Sequence, residues 1–207
     1  MIRDQETLNQ LVGLIDRFVS ERLIPREAEL AESERLPDDI LAEMKELGLF
    51  GLTIPEQYGG LGLTMEEEIQ VAISLGRTSP AFRSIMGTNN GIGSAAIVFN
   101  GTEKQKQKYL PKYASGEWIS CFCLTEPDAG SDAASLKTTA VLEGDHYVLN
   151  GTKRYITNAK LANTFNVMAR TNPSIKGARG ISSFIVERDA PGITLGSIDK
   201  KMGQAGS

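Results

Sequence analysis

The chain is poor in the residues that mark several functional classes. Among 207 residues there is one histidine, His146, and there are two cysteines, Cys121 and Cys123. One imidazole and two thiols do not assemble a zinc site. Cysteines two apart on a strand share a face without normally meeting disulfide geometry. The expectation is a reduced, cytoplasmic protein without bound metal. No apolar run approaches the ~20 residues of a membrane helix. Met1 leads almost directly into an amphipathic segment, so neither a signal peptide nor membrane contact is expected. A net charge of −4 with no basic stripe argues against nucleic acid as a partner.

What is present is globular in character, with 41% hydrophobic and 23% charged residues, and long enough for one large or two small domains. In the first part of the chain the apolar period is helical. Leu8, Leu11, Val12, Ile15, Phe18 and Val19 form one stripe within residues 5–22. The charged stretch from Arg26 to Arg35 reads as a solvated turn or a continuing helix face. Pro37 sits at the first turn of a second helix, with Asp38 and Asp39 complementing its dipole and Gly48 ending it. Residues 51–63 are glycine-rich and read as a packed connector. Thr64 with Glu67, and Thr102 with Gln105, are capping boxes that start two further helices. Between them, Ile92, Ala95, Ala96 and Phe99 fit a helix. Gly91-Ile-Gly-Ser-Ala-Ala96 matches a loose dinucleotide-binding pattern but lacks the strand before it and the acidic residue after it.

From Trp118 the period changes to alternation. Strands are expected at Ile119 to Leu124, Leu136 to Glu143, Tyr147 to Asn150, Arg154 to Thr157, Thr164 to Arg170, Ile181 to Glu187 and Ile193 to Ile198. Short connections between them favour an antiparallel arrangement.

Two stretches carry chemistry. The first strand breaks into Thr125-Glu-Pro-Asp-Ala-Gly-Ser-Asp132. Pro127 fixes its own φ and extends Glu126, and Gly130 permits a close approach beside two short polar side chains. Such a turn presents hydroxyls and N–H groups to an anionic or planar ligand. The second stretch, Asn150-Gly-Thr-Lys-Arg-Tyr-Ile-Thr-Asn158, reads as an Asn-Gly hairpin turn before a short strand with Tyr155 and Thr157.

Together these stretches resemble the two signature segments of the acyl-CoA dehydrogenase family, and the similarity runs along the whole chain. The resemblance implies an α+β fold: an N-terminal all-α helical domain over residues 1–117, then a small antiparallel β-barrel or sandwich over 118–207. That middle domain binds flavin in the family, and here its C-terminal end is expected to be incomplete. It also implies FAD-dependent α,β-dehydrogenation of an acyl-CoA to a trans-2-enoyl-CoA, with electrons passed to an electron-transfer flavoprotein, by a homotetramer. By the same resemblance Phe122, Cys123, Leu124 and Thr125 lie against the flavin ring. Gly130 and Ser131 hold its pyrophosphate region, Ser131 also touches the acyl-CoA, and Tyr155, Ile156 and Thr157 form a second flavin-lining segment. Phe122 and Tyr155 stand where the family often has tyrosine and tryptophan, which keeps an aromatic face. Lys176 and Arg179 are expected in a solvated loop outside the site.

The family's catalytic glutamate lies in a C-terminal helical domain, so no residue here is assigned as the base. Glu126 and Glu117 in particular are not. Residues 1–207 alone are expected to bind FAD weakly and to catalyse nothing. An acyl-CoA oxidase, or a non-catalytic flavin- or acyl-CoA-binding scaffold of the same family, are the alternatives.

Overall fold

Leu8, Ile15 and Phe18 fall on one buried face of helix α1, Gln5–Phe18, the first element of the computed structural model, which describes residues 5–206. The helix runs on into a π-helical turn, Val19–Leu23, where the Ile24 N–H bonds to the Val19 carbonyl five residues back. Pro25 has no N–H for a regular ladder, and a 3-10 turn, Ile24–Arg26, follows. The charged stretch after it is helical: α2 spans Glu27–Ser33 and buries only Leu30. Pro37 is the N-cap of α3, Asp38–Glu46, one residue before its expected place.

The glycine-rich connector folds back on itself. Leu61 and Leu63 donate backbone hydrogen bonds to the carbonyls of Gly51 and Leu52 at 2.8 Å each. Gly60 makes that possible, because a Cβ there would lie 2.0 Å from the Ile54 carbonyl oxygen. Both capping boxes are formed, at Thr64 for α4, Met65–Leu75, and at Thr102 for α7, Glu103–Ala114. Between them lie α5, Pro80–Asn90, and α6, Ala95–Asn100. Gly91 therefore follows a helix, and the loose dinucleotide pattern has no strand to stand on. The helices share a core that includes Ile15, Leu23, Ile40, Phe50, Leu75 and Phe82. Each such side chain contributes ~1.5–3 kcal/mol relative to leaving it exposed.

The chain divides into two compact units, Met1–Ile119 with Lys200–Ser207, and Ser120–Asp199. The second is built on a five-stranded mixed sheet. Its strands are β1, Ser120–Cys123; β2, Thr139–Glu143; β3, His146–Asn150; β4, Thr164–Arg170; and β5, Ile181–Glu187. The order is β1-β4-β2-β3, with β5 on the other edge of β4. The β2–β3 and β4–β5 pairs are antiparallel as expected, but β1 runs parallel to β4, with Cys121 opposite Phe165. The sheet is therefore mixed, where the short connections favour an antiparallel one, and β2 also meets β4 in parallel at Thr139 and Arg170. The long return from β1 to β4 carries the β2–β3 hairpin and reverses the chain, which allows a parallel pair.

Two further corrections concern strands. Arg154 to Thr157 and Ile193 to Ile198 form none among the described residues. In the first, Tyr155 has a φ of +58°, and Asn158 just after it +67°, left-handed values that no strand accommodates. In the second, Ile193 and Leu195 pack side-on against the apolar cluster around Cys121 and Phe165 without pairing into the sheet.

Candidate functional site

At the end of β1 the chain turns sharply. The Glu126 N–H donates to the Ala129 carbonyl at 2.9 Å, and the Ala129 N–H returns a bond to the Glu126 carbonyl at 3.2 Å. Pro127 and Asp128 sit at the exposed tip, as a proline-initiated turn requires. Glu126 itself is buried, 6% exposed. Its carboxylate accepts from the Lys137 N–H at 2.6 Å, the Thr138 N–H at 3.0 Å, the Thr138 hydroxyl, and the Lys153 ammonium at 2.8 Å. Burial alone would raise its pKa. The bonds from Lys153, Thr138 and two backbone N–H groups outweigh burial and bring it down to about 2. With its oxygens engaged by four donors, Glu126 is a structural anion and not a base.

The second motif is tied directly to the first. Lys153 also donates to the Leu124 carbonyl at 3.1 Å, and the Arg154 N–H donates to the Thr125 carbonyl at 2.9 Å. Three consecutive residues, 124–126, are thus held from residues 153 and 154. Asn150-Gly151 makes no hairpin turn, contrary to expectation: Asn150 ends β3, and Gly151 passes against Thr138. A Cβ at Gly151 would lie 2.3 Å from the Thr138 hydroxyl oxygen.

The nine residues singled out in the sequence take distinct places. Cys121 and Cys123 point into the apolar cluster with Phe165 and Ala162, their Sγ atoms 3.7 Å apart. The Cys123 contact and the buried surroundings push the Cys121 thiol well above the ordinary thiol range. Phe122 and Leu124 alternate to the other face and are half-buried, as is Thr125. Gly130 and Ser131 are exposed beyond the turn. Gly130 is not in the left-handed region, and a Cβ there would meet nothing within 4 Å. Tyr155 is 70% exposed, with the Arg154 guanidinium 4.8 Å above its ring. Ile156 packs into the cysteine cluster, and Thr157 is exposed. Among the described residues the hydroxyls of Thr125, Ser131 and Thr157 make no hydrogen bond.

This arrangement ties two hydroxyls without an internal partner, on Thr125 and Thr157, and the exposed Tyr155 ring to one held stretch of backbone. It supplies no proton acceptor. Glu117, the other excluded carboxylate, is exposed and 3.8 Å from Lys112. A separate open groove of about 460 Å³ is lined by residues including Leu136, Lys137, Arg170, Ile175 and Lys176. The Arg170 guanidinium there is engaged by the carbonyls of Ala134 and Ile175 at 2.6 and 3.1 Å.

Comparison with known proteins agrees with this architecture. Residues 5–117 match "Acyl-CoA dehydrogenase, N-terminal domain", and residues 121–207 match "Acyl-CoA dehydrogenase, middle domain". The chain belongs to the acyl-CoA dehydrogenase family. It is 38% identical over 194 residues to an acyl-CoA dehydrogenase of Bacillus subtilis (strain 168), a stretch covering 94% of this chain and 51% of that protein. A glutaryl-coenzyme A dehydrogenase solved with glutaryl-CoA superposes with a TM-score of 0.91 at 33% identity, over 100% of this chain and 53% of that one. A Bacillus anthracis acyl-CoA dehydrogenase complexed with FAD gives 0.85 at 38% identity, over 98% and 34%. The chain therefore spans about half the length of the curated relatives it matches.

For this member of the acyl-CoA dehydrogenase family, sequence reasoning missed the part played by Glu126 and Lys153. The available signal was slight: Glu126, Asp128 and Asp132 in the first motif, and Lys153 and Arg154 in the second, stand among small and apolar residues. Charges that recur among small and apolar residues are paired when they are buried.

Proposed function

We propose that this chain forms the flavin-binding portion of an FAD-dependent acyl-CoA dehydrogenase. The reading rests on one observation: Lys153 and Arg154 hold Leu124, Thr125 and Glu126, so the two motifs make a single surface. FAD, when bound, supplies a two-electron acceptor for the β-hydride of the acyl thioester. Thr125 offers its hydroxyl to the polar edge of the ring, and Leu124 offers backbone contacts. Tyr155 presents an aromatic face and Thr157 a second hydroxyl, while Cys123 and Ile156 contribute through backbone. Gly130 and Ser131 lie against the pyrophosphate region, with Ser131 also reaching the acyl-CoA.

The α-proton acceptor is not one of residues 1–207. Glu126 is consumed by its four donors, and in the family that role falls to a glutamate of a C-terminal helical domain. The product is a trans-2-enoyl-CoA, the electrons pass to an electron-transfer flavoprotein, and the assembly is a cytoplasmic homotetramer.

The test is the visible flavin spectrum of the protein produced from its gene, recorded anaerobically before and after adding saturated acyl-CoAs of several lengths. Bleaching of bound flavin supports the reading. Bound flavin that no chain length bleaches contradicts the dehydrogenation, and absence of flavin contradicts the site.

A further inference from the structure

Glu126 and Lys153 are placed unlike an ordinary stabilising ion pair. Their side chains are only 5% and 11% exposed and 2.8 Å apart. Burying such a pair loses the hydration of both charges, and replacing it with apolar residues is often neutral or favourable. Stability alone therefore gives little reason for it. What the pair does uniquely is connect backbone. Lys153 reaches the Leu124 carbonyl as well as the carboxylate, and Glu126 in turn gathers the N–H groups of Lys137 and Thr138 just before β2. The neighbouring Arg154 N–H then meets the Thr125 carbonyl. The exit of β1, the entry of β2 and the exit of β3 converge on one carboxylate and one ammonium.

We infer that Lys153 and Glu126 are positioning residues: together they clamp the Leu124–Thr125 backbone onto the 153–157 segment and so set the spacing between the two halves of the ligand surface. This rests on the flavin reading for its functional consequence, while the clamp itself is a property of the apo chain. The left-handed Tyr155 lies one residue beyond Arg154, with its ring out in solvent. Sparsely populated backbone of this kind persists only where its surroundings over-determine it. The clamp supplies that constraint on the N-terminal side, and Asn158 on the other, its carbonyl accepting from Leu161 and Ala162 at 2.8 Å each.

The experiment uses residues 1–207 and the variants Lys153→Met, Lys153→Arg, Glu126→Gln and the double variant Lys153→Met with Glu126→Gln. Hydrogen exchange is followed at the Arg154 amide, with amides of β4 and β5 reporting the fold, and FAD affinity is measured by titration. Lys153→Met is expected to speed Arg154 exchange by at least about tenfold, the equivalent of ~1.4 kcal/mol, with β4 and β5 unchanged. FAD affinity should fall with it, Lys153→Arg should restore both in part, and the double variant should be little worse than either single one. Unchanged exchange at Arg154 overturns the clamp, as does equal loosening of β4 and β5, which is general destabilisation. Faster Arg154 exchange with unaltered FAD affinity overturns the positioning role. Parent protein that binds no FAD overturns the flavin reading instead, and the exchange data still decide the clamp.

Discussion

The Lys153 ammonium donates to the Glu126 carboxylate at 2.8 Å, inside the β-unit and almost out of reach of solvent. This contact joins two stretches of sequence 27 residues apart. Everything proposed for the site depends on it, because it holds both stretches in one surface.

The pair predicts an acid limit to stability. The folded-state pKa of Glu126 is about 2, below its ordinary value of 4.5. A depressed carboxylate stabilises the fold above its unfolded pKa, and that stabilisation drains away as pH falls through the folded pKa. Unfolding free energy should thus decline between pH about 4.5 and about 2, by on the order of 3 kcal/mol from this group. Urea titrations at pH 6, 4, 3 and 2 measure it, and Glu126→Gln should flatten that decline.

Two glycines separate folding from binding. Gly151→Ala places a methyl 2.3 Å from the Thr138 hydroxyl and 2.7 Å from its Cα. It should destabilise the protein by ~1–3 kcal/mol, typical of overpacking. Gly130→Ala meets open space, so stability should stay within ~0.5 kcal/mol. The same substitution should weaken FAD binding, since a close ligand would meet the new methyl. Thermal melts and flavin titration of both variants check the contrast.

The cysteines should be silent until the fold opens. Cys121 and Cys123 are buried, and Cys121 is held in the thiol form by Cys123 and by burial. A thiol-specific chromogenic reagent should find no reactive group in the native protein at neutral pH, and two after denaturation. Rapid native labelling would show that the apolar cluster around Phe165 is open.

Much of the fold is legible in the sequence where local chemistry decides it. The capping boxes at Thr64 and Thr102 start helices where expected. Strands β4 and β5 have the expected bounds because apolar runs and turn residues delimit them. Helix α5 was hidden, since Gly87, Thr88, Asn89 and Asn90 are poor helix formers. Tertiary bonds hold it: Glu27 accepts from the Ser79 N–H at 2.7 Å at its start, and the Asn90 amide donates to the Leu49 carbonyl at 2.6 Å at its end. The parallel β1–β4 pair was hidden for a related reason, as strand sense depends on the path of a long excursion. At the site, residue types and motifs were legible. The left-handed turn at Tyr155 was not, because Arg-Tyr-Ile-Thr has the composition of a strand.

The most direct measurement is a titration of residues 1–207 with FAD, followed by quenching of flavin fluorescence, for the parent chain and for Thr125→Val and Tyr155→Ala. Weak, saturable, one-to-one binding is expected, weakened by each substitution while thermal stability is retained. Absence of saturable binding, or binding indifferent to both substitutions, would contradict a flavin surface at Thr125 and Tyr155.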